Sequence, residues 1–281
     1  MKKAVLLTLG MLFLSSLVFS LAILLFHNTQ GTESRFAELS LYDRLYDLDS
    51  SVQRGFKEIF TRNSGITLAL TDDLVSITET LPHSSNFRSE MDAYVNYLEA
   101  TYPTDPKVTI NDAILTLIKN GVSFYIMPHD ILVEHSSFPS GNLEITPQNL
   151  NVANYSLSLT TTKQSVVFDD SSMTSGSFPL RVSVTTDSGT TVKEYNINPT
   201  SLNTLTIALD TGLPTEATMT ITLDSPAQLV INRGGVTTEH RIDIALQPLA
   251  EEMNYIRFPN NFFTINIPGD NLQKTGTVRI V

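Results

Sequence analysis

Ala4 to Phe26 reads AVLLTLGMLFLSSLVFSLAILLF, 23 consecutive residues without a charge. About 20 such residues carry a helix across a bilayer, so this run constrains the chain more than any other feature. Its polar side chains are Thr8, Ser15, Ser16 and Ser20, whose hydroxyls can bond back to the carbonyls of their own helix. Lys2 and Lys3 precede the run and the first charges after it are Glu33 and Arg35. The positive-inside bias then keeps the N-terminus in the cytoplasm. The expectation is a single-pass anchor over residues 1–27, bounded by Ala4 and Phe26 and oriented by Lys2 and Lys3. Its partner would be the lipid bilayer, with the bulk of the chain extracytoplasmic at the cell membrane. A cleaved secretory signal is the competing reading, with Ser20-Leu21-Ala22 as a small-x-small site, but the run outlasts an h-region of roughly 7 to 15 residues. A buried core helix is the third alternative.

Charge and cysteine content narrow the function classes. Lys and Arg number 18 against 29 Asp and Glu, a net −11, and cysteine is absent. Nucleic-acid binding is disfavoured because it rests on cations that neutralise phosphates. Disulfides, thiol catalysis and Cys-ligated metals are excluded outright. Only 17% of residues are charged, well under the ~25% of an ordinary soluble domain, and the polar share is carried by Ser, Thr and Asn instead.

Beyond the polar joint His27 to Thr32, apolar residues at Leu45, Leu48, Val52, Phe56 and Ile59 recur every 3 or 4 positions. That spacing predicts a helical stripe. A stalk helix is expected over residues 28–62, its periodic part Glu33 to Thr61, ended by Arg62-Asn63-Ser64-Gly65, with Gly65 suited to a left-handed stop. Such a stripe packs on the protein's own domain or pairs with a second copy. Ile66 to Leu70 and Leu74 to Leu81 flank Thr71-Asp72-Asp73 as a hairpin, and Phe87 to Tyr102 carries a helical face closed by Pro103. With the short runs that follow, residues 63–140 are expected to form a small α+β region.

From residue 141 the helical period gives way to short, β-branched, Thr-rich runs separated by turns such as Asp187-Ser188-Gly189 and Asn232-Arg233-Gly234-Gly235. Thr218-Met219-Thr220-Ile221-Thr222-Leu223 alternates with period two, which buries one face and wets the Thr face. Residues 141–281 therefore predict an all-β sandwich of jelly-roll or Ig-like type. The expected fold is thus an N-terminal transmembrane helix, a stalk helix, a small α+β unit and the sandwich.

No catalytic constellation emerges. The histidines are His27, His83, His129, His135 and His240, and only His129-Asp130 through Glu134-His135 cluster. On a strand from Ile131, His135 shares a face with Ile131 and Val133 while Glu134 points away, so the ligands diverge and no metal site is assigned. Asp72-Asp73, Asp169-Asp170 and Glu251-Glu252 are adjacent pairs, which alternate sides on a strand and do not converge on one bond. Calcium at Asp169-Asp170 or at Asp187 to Gly189 lacks EF-hand spacing. No nucleophile elbow, phosphate loop or dinucleotide fingerprint is present. Catalytic, cofactor and metal residues are accordingly expected to be none. Asn154-Tyr155-Ser156 is a sequon, so Asn154 is a candidate glycosylation acceptor.

Lys2-Lys3-Ala4, a basic pair and a small residue before the apolar run, resembles the prepilin signal of type IV pilins, above all archaeal ones. The resemblance implies cleavage after Ala4, an apolar helix that anchors the subunit and later lines a filament, and self-association. The sequence departs from that family at Ala4, where many members carry Gly, and at Leu9, where bacterial pilins carry a carboxylate. The whole pattern also looks like uncharacterised archaeal single-pass surface proteins with a Thr-rich β head. The functional expectation is a non-enzymatic, membrane-anchored surface protein with a structural or adhesive role and other surface proteins as partners. The alternatives are a pilin-like subunit and an exported carbohydrate-binding module or hydrolase.

Overall fold

The computed structural model describes residues 2–80, 86–135, 141–148, 151–234, 236, 239–247, 254–270 and 272–280, and within the first helix the side chains of 15–26 and 39–63. His83 and Glu251-Glu252 lie outside the described residues, as do the side chains of Lys2, Lys3, Ala4 and His27. Two compact units are present, Met1–Ser51 and Val52–Val281. The first is occupied by the helix α1, which runs over Lys2–Asn63 and so continues into the second.

The fold expected from the sequence is corrected here. Among the described residues no helix is long and apolar enough to cross a membrane. Nor do anchor and stalk separate at Gly31, because a glycine inside a helix costs only about 1 kcal/mol and does not compel a break.

Within the larger unit α1 ends at Asn63, and Gly65 follows with φ of 70°. Val52, Phe56 and Phe60 are fully buried. Their four-residue spacing carries the buried stripe to Phe60 in place of the expected Ile59, which is only half-buried. The rings of Phe87, Phe124 and Phe258 stand edge-on to Phe60 with centroids 5.3 to 6.2 Å away. In a chain without tryptophan, phenylalanine fills this part of the core.

The hairpin of β1 (Ile66–Leu70) and β2 (Leu74–Thr80) forms as the alternation implies. Then come α2 (Asn86–Thr101), β3 (Lys107–Ile110), α3 (Asp112–Gly121), β4 (Phe124–Met127), β5 (Ile131–His135) and β6 (Leu143–Pro147). Next are β7 (Val152–Thr160), β8 (Val166–Ser172), β9 (Ser175–Thr186), β10 (Gly189–Ile197), β11 (Asn203–Leu209) and β12 (Ala217–Asp224). The chain closes through β13 (Gln228–Asn232), β14 (Glu239–Leu246), β15 (Tyr255–Arg257), β16 (Phe263–Ile267), β17 (Leu272–Gly276) and β18 (Arg279–Ile280).

These strands do not sort into an α+β unit followed by a sandwich. One sheet runs β1-β2-β14-β7-β9-β10, a second β18-β15-β4-β5-β6-β13-β12-β11-β8, and a third β17-β16-β3. Strands from before residue 140 thus pair with strands from after it: β2 with β14, β3 with β16, β4 with β15. The expected division fails because short apolar strands leave open which distant strand each will pair with. The two large sheets face each other, and Tyr155 on β7 donates its hydroxyl across the gap to the carbonyl of Ala227, ahead of β13, at 2.9 Å. Period-two alternation sets the inward face: Leu205, Ile207 and Leu209 on β11 and Met219, Ile221 and Leu223 on β12 are buried, while the threonines between them are not.

Candidate functional site

Four strands of the facing sheets break their own apolar alternation at the same end. On β2 the inward positions run Val75, Ile77, Glu79; on β5 they run Ile131, Val133, His135. The chain leaving β13 continues Leu229 and Ile231 into Arg233, and β14 enters through His240 before Ile242 and Ile244. The terminal member of each series is ionisable, and all four are buried, none more than 2% exposed. Glu79 and His240 sit directly opposite each other on neighbouring strands of the six-stranded sheet. His135 and Arg233 come from the nine-stranded sheet, one on each side of β6. The four residues therefore close the gap between the two sheets.

Glu79 is the hub. Its Oε1 lies 2.8 Å from His135 Nε2, and its Oε2 lies 2.6 Å from Arg233 Nη2 and 2.9 Å from His240 Nε2. Arg233 Nη2 is also 3.3 Å from His135 Nδ1 and from His240 Nε2. With the proton of each ring on Nε2, both imidazoles donate to Glu79, and Arg233 Nη2 can give one N–H to Glu79 Oε2 and the other to His135 Nδ1. The Nη2 to His240 Nε2 approach is then a contact of two donors held together by the carboxylate between them. Burial pulls the pKa of Arg233 down from its ordinary value, and Glu79 pushes it back up. Among the described residues, Arg233 Nε and Nη1 and His240 Nδ1 have no hydrogen-bond partner.

This arrangement pairs the Glu79 carboxylate with the Arg233 guanidinium in the gap between the sheets. Three N–H donors lie within 2.9 Å of its carboxylate oxygens, and its groups are shielded from solvent. Glu, His and His are metal-ligating types, yet the cation beside the carboxylate is the guanidinium of Arg233. Among the described residues, no group of three or more His, Asp or Glu is arranged to hold a metal.

The residues singled out in the sequence are mostly apart from this cluster. His135 belongs to it, its ring on the buried face with Ile131 and Val133, and Glu134 alternates away. His129 is buried in the turn before β5, where burial lowers its pKa and, among the described residues, Nδ1 has no partner. Asp72-Asp73 form the β1–β2 turn, where Thr71 donates its hydroxyl to Asp73 at 3.0 Å. Asp169-Asp170 sit on the exposed edge strand β8, and the hydroxyl and backbone N–H of Ser171 hold the Asp169 pKa below its ordinary value. Asn154 is half-buried on β7, between β14 and β9. Phe26 is 61% exposed on α1. Glu79, Arg233 and the role of His240 were missed, although each ends a run of alternating apolar residues, a signal present in the sequence. Searches of protein-family models, of curated proteins and of solved structures give no match to this chain.

Proposed function

We propose that this chain is a non-catalytic surface protein whose β-rich body serves a structural or adhesive role outside the cell, attached to a lipid layer through the apolar segment of α1. The observation that carries the reading lies within the first unit. Leu17, Val18, Phe19, Leu21, Ile23, Leu24, Leu25 and Phe26 are each between 45% and 70% exposed, on all sides of the helix. Eight large apolar side chains open to water are costly at about 25 cal/mol per Å², and a helix apolar all round is stable only when something apolar covers it. The acidity that keeps the body in solution agrees with this role.

Flotation of the full-length protein with phosphatidylcholine vesicles tests the attachment. The wild type is expected in the lipid fraction, and Leu21→Lys/Leu24→Lys in the soluble fraction with unchanged circular dichroism. Wild-type protein that stays at the bottom of the gradient, or assembles into large particles without lipid, sinks the reading. Protease accessibility of the β-rich body in intact cells tests the placement, and full protection refutes it.

A further inference from the structure

We propose that Arg257 and Arg279, on the outer face of the nine-stranded sheet, form a binding site for a doubly charged oxyanion, either phosphate or a phosphate monoester. The inference starts from strand register. β15 pairs with β18 so that Arg257 and Arg279 stand directly opposite each other, while Ile256 and Ile280 occupy the buried face. Side chains opposite one another on antiparallel strands have Cβ atoms about 4.5–5.5 Å apart, and like charges there are destabilising. The chain nevertheless sets two guanidinium groups side by side, although it carries 29 acidic residues to 18 basic ones. Arg62, Arg181, Arg233 and Arg241 each stand beside a carboxylate. Among the described residues, Arg257 and Arg279 have no such partner.

Tyrosine rings hold the pair in place instead. The guanidinium carbon of Arg257 lies 5.4 Å from the ring centroid of Tyr125, its opposite number on β4, and that of Arg279 lies 5.4 Å from the centroid of Tyr255. Stacking covers a flat face of each guanidinium and leaves the N–H fork at its rim for an acceptor. Arg257 Nε is buried and, among the described residues, has no hydrogen-bond partner, so the ring rather than a protein acceptor fixes this side chain. Arg279 is exposed. Two oriented cations without a counter-ion match one ligand that brings two negative charges and several oxygens. A carboxylate brings one charge, whereas a phosphate monoester brings about −1.5 to −2 at pH 7 and three acceptor oxygens. Those oxygens suffice for a bidentate bond to one guanidinium and a further bond to the other. Free phosphate and a phosphorylated sugar share this chemistry. The site is independent of how the protein is attached to a surface.

Phosphorus NMR of inorganic phosphate tests the site, with the full-length chain in a neutral detergent at pH 7.5 and ionic strength held constant with chloride. The wild type is expected to broaden the resonance saturably, with half the effect below about 10 mM. Arg257→Gln and Arg279→Gln should each weaken binding about tenfold or more, the loss of a charge-assisted contact. Arg181→Gln, on β9 of the other large sheet, should leave it unchanged. Dimethyl phosphate, with a single charge, should bind at least about tenfold more weakly than phosphate. Competition by glucose 1-phosphate separates the sources: displacement of phosphate at equal concentration assigns the site to an ester, and failure to displace assigns it to the free ion. The wild-type titration needs no variant, and the absence of saturable broadening overturns the proposal. So does equal weakening by Arg181→Gln, or equal binding of dimethyl phosphate. Binding that emerges only after Glu251→Gln/Glu252→Gln also overturns it, because the chain's own carboxylates then take the place of the ligand.

Discussion

Replacing Glu79 by Gln removes one negative charge from the gap between the sheets with almost no change in volume. Three N–H groups converge on the two carboxylate oxygens at 2.6 to 2.9 Å. The amide keeps one oxygen and turns the other into an NH₂, so at least one donor loses its acceptor and faces another donor. Arg233, 2% exposed, is left without a counter-ion. Removal of one partner from a buried ion pair costs about 3–5 kcal/mol, a large share of the ~5–15 kcal/mol by which folded domains are stable. For a folded body of this size that lowers Tm by about 6 to 20 °C. Urea denaturation at pH 7.5 measures the cost, and a double-mutant cycle with Arg233→Met assigns it. In the Arg233→Met background, Glu79→Gln relieves an unpaired buried carboxylate, so the coupling is expected to exceed about 1 kcal/mol. Glu194→Gln, on the exposed strand β10 and 3.7 Å from Arg181, is the control and should change stability by under about 0.5 kcal/mol. A loss below about 1 kcal/mol for Glu79→Gln, or additivity with Arg233→Met, would refute the view that the cluster joins the sheets.

Gly55 lies on α1 under Tyr94, and a Cβ there would overlap the tyrosine hydroxyl and ring. Gly55→Ala should therefore destabilise by about 1–3 kcal/mol, and in a Tyr94→Ala background the same change should stabilise by up to about 1 kcal/mol, both read by thermal melts. Asn203 accepts from the Thr174 N–H and hydroxyl at 2.8 and 2.6 Å and donates to the carbonyls of Asn198 and Ser201. Asn203→Ala should cost about 2–4 kcal/mol at roughly 1 kcal/mol per bond, with faster amide exchange at Thr174. Burial alone would raise the pKa of Asp210, but the N–H of Gln164, the Thr215 hydroxyl, the N–H of Ser165 and the Lys163 charge outweigh it and hold the carboxyl below its ordinary value. Its stabilisation is present above the ordinary carboxylate range and lost as the pH falls through the folded value. Asp210→Asn should then be less stable than wild type at pH 7, by a gap that narrows between pH 5 and 2.5, and a constant gap contradicts this.

What the chain discloses in advance is local. The β1–β2 hairpin, the helix α2 and the threonine alternation of β11 and β12 follow from periods within ten or so residues, and the structure has them. The helix α3 does not follow, because Ile114 to Ile118 is too short a run. Its start is set by Asn111, whose side chain caps the N–H groups of Ala113 and Ile114. The buried cluster around Glu79 lies between these cases. In each strand the inward series that ends in Glu79, His135, Arg233 or His240 is visible, and an ionisable residue on a buried face needs a partner. The identity of that partner is nonlocal. Glu79 meets His240 because β2 pairs with β14, and it meets Arg233 because the facing sheet places β13 across the gap. The four series constrain one another all the same. One buried carboxylate and one buried guanidinium offset each other's charge, and the two imidazoles meet the same carboxylate within hydrogen-bond distance. The residue types thus imply a shared polar site even where the strand order that brings them together could not be read.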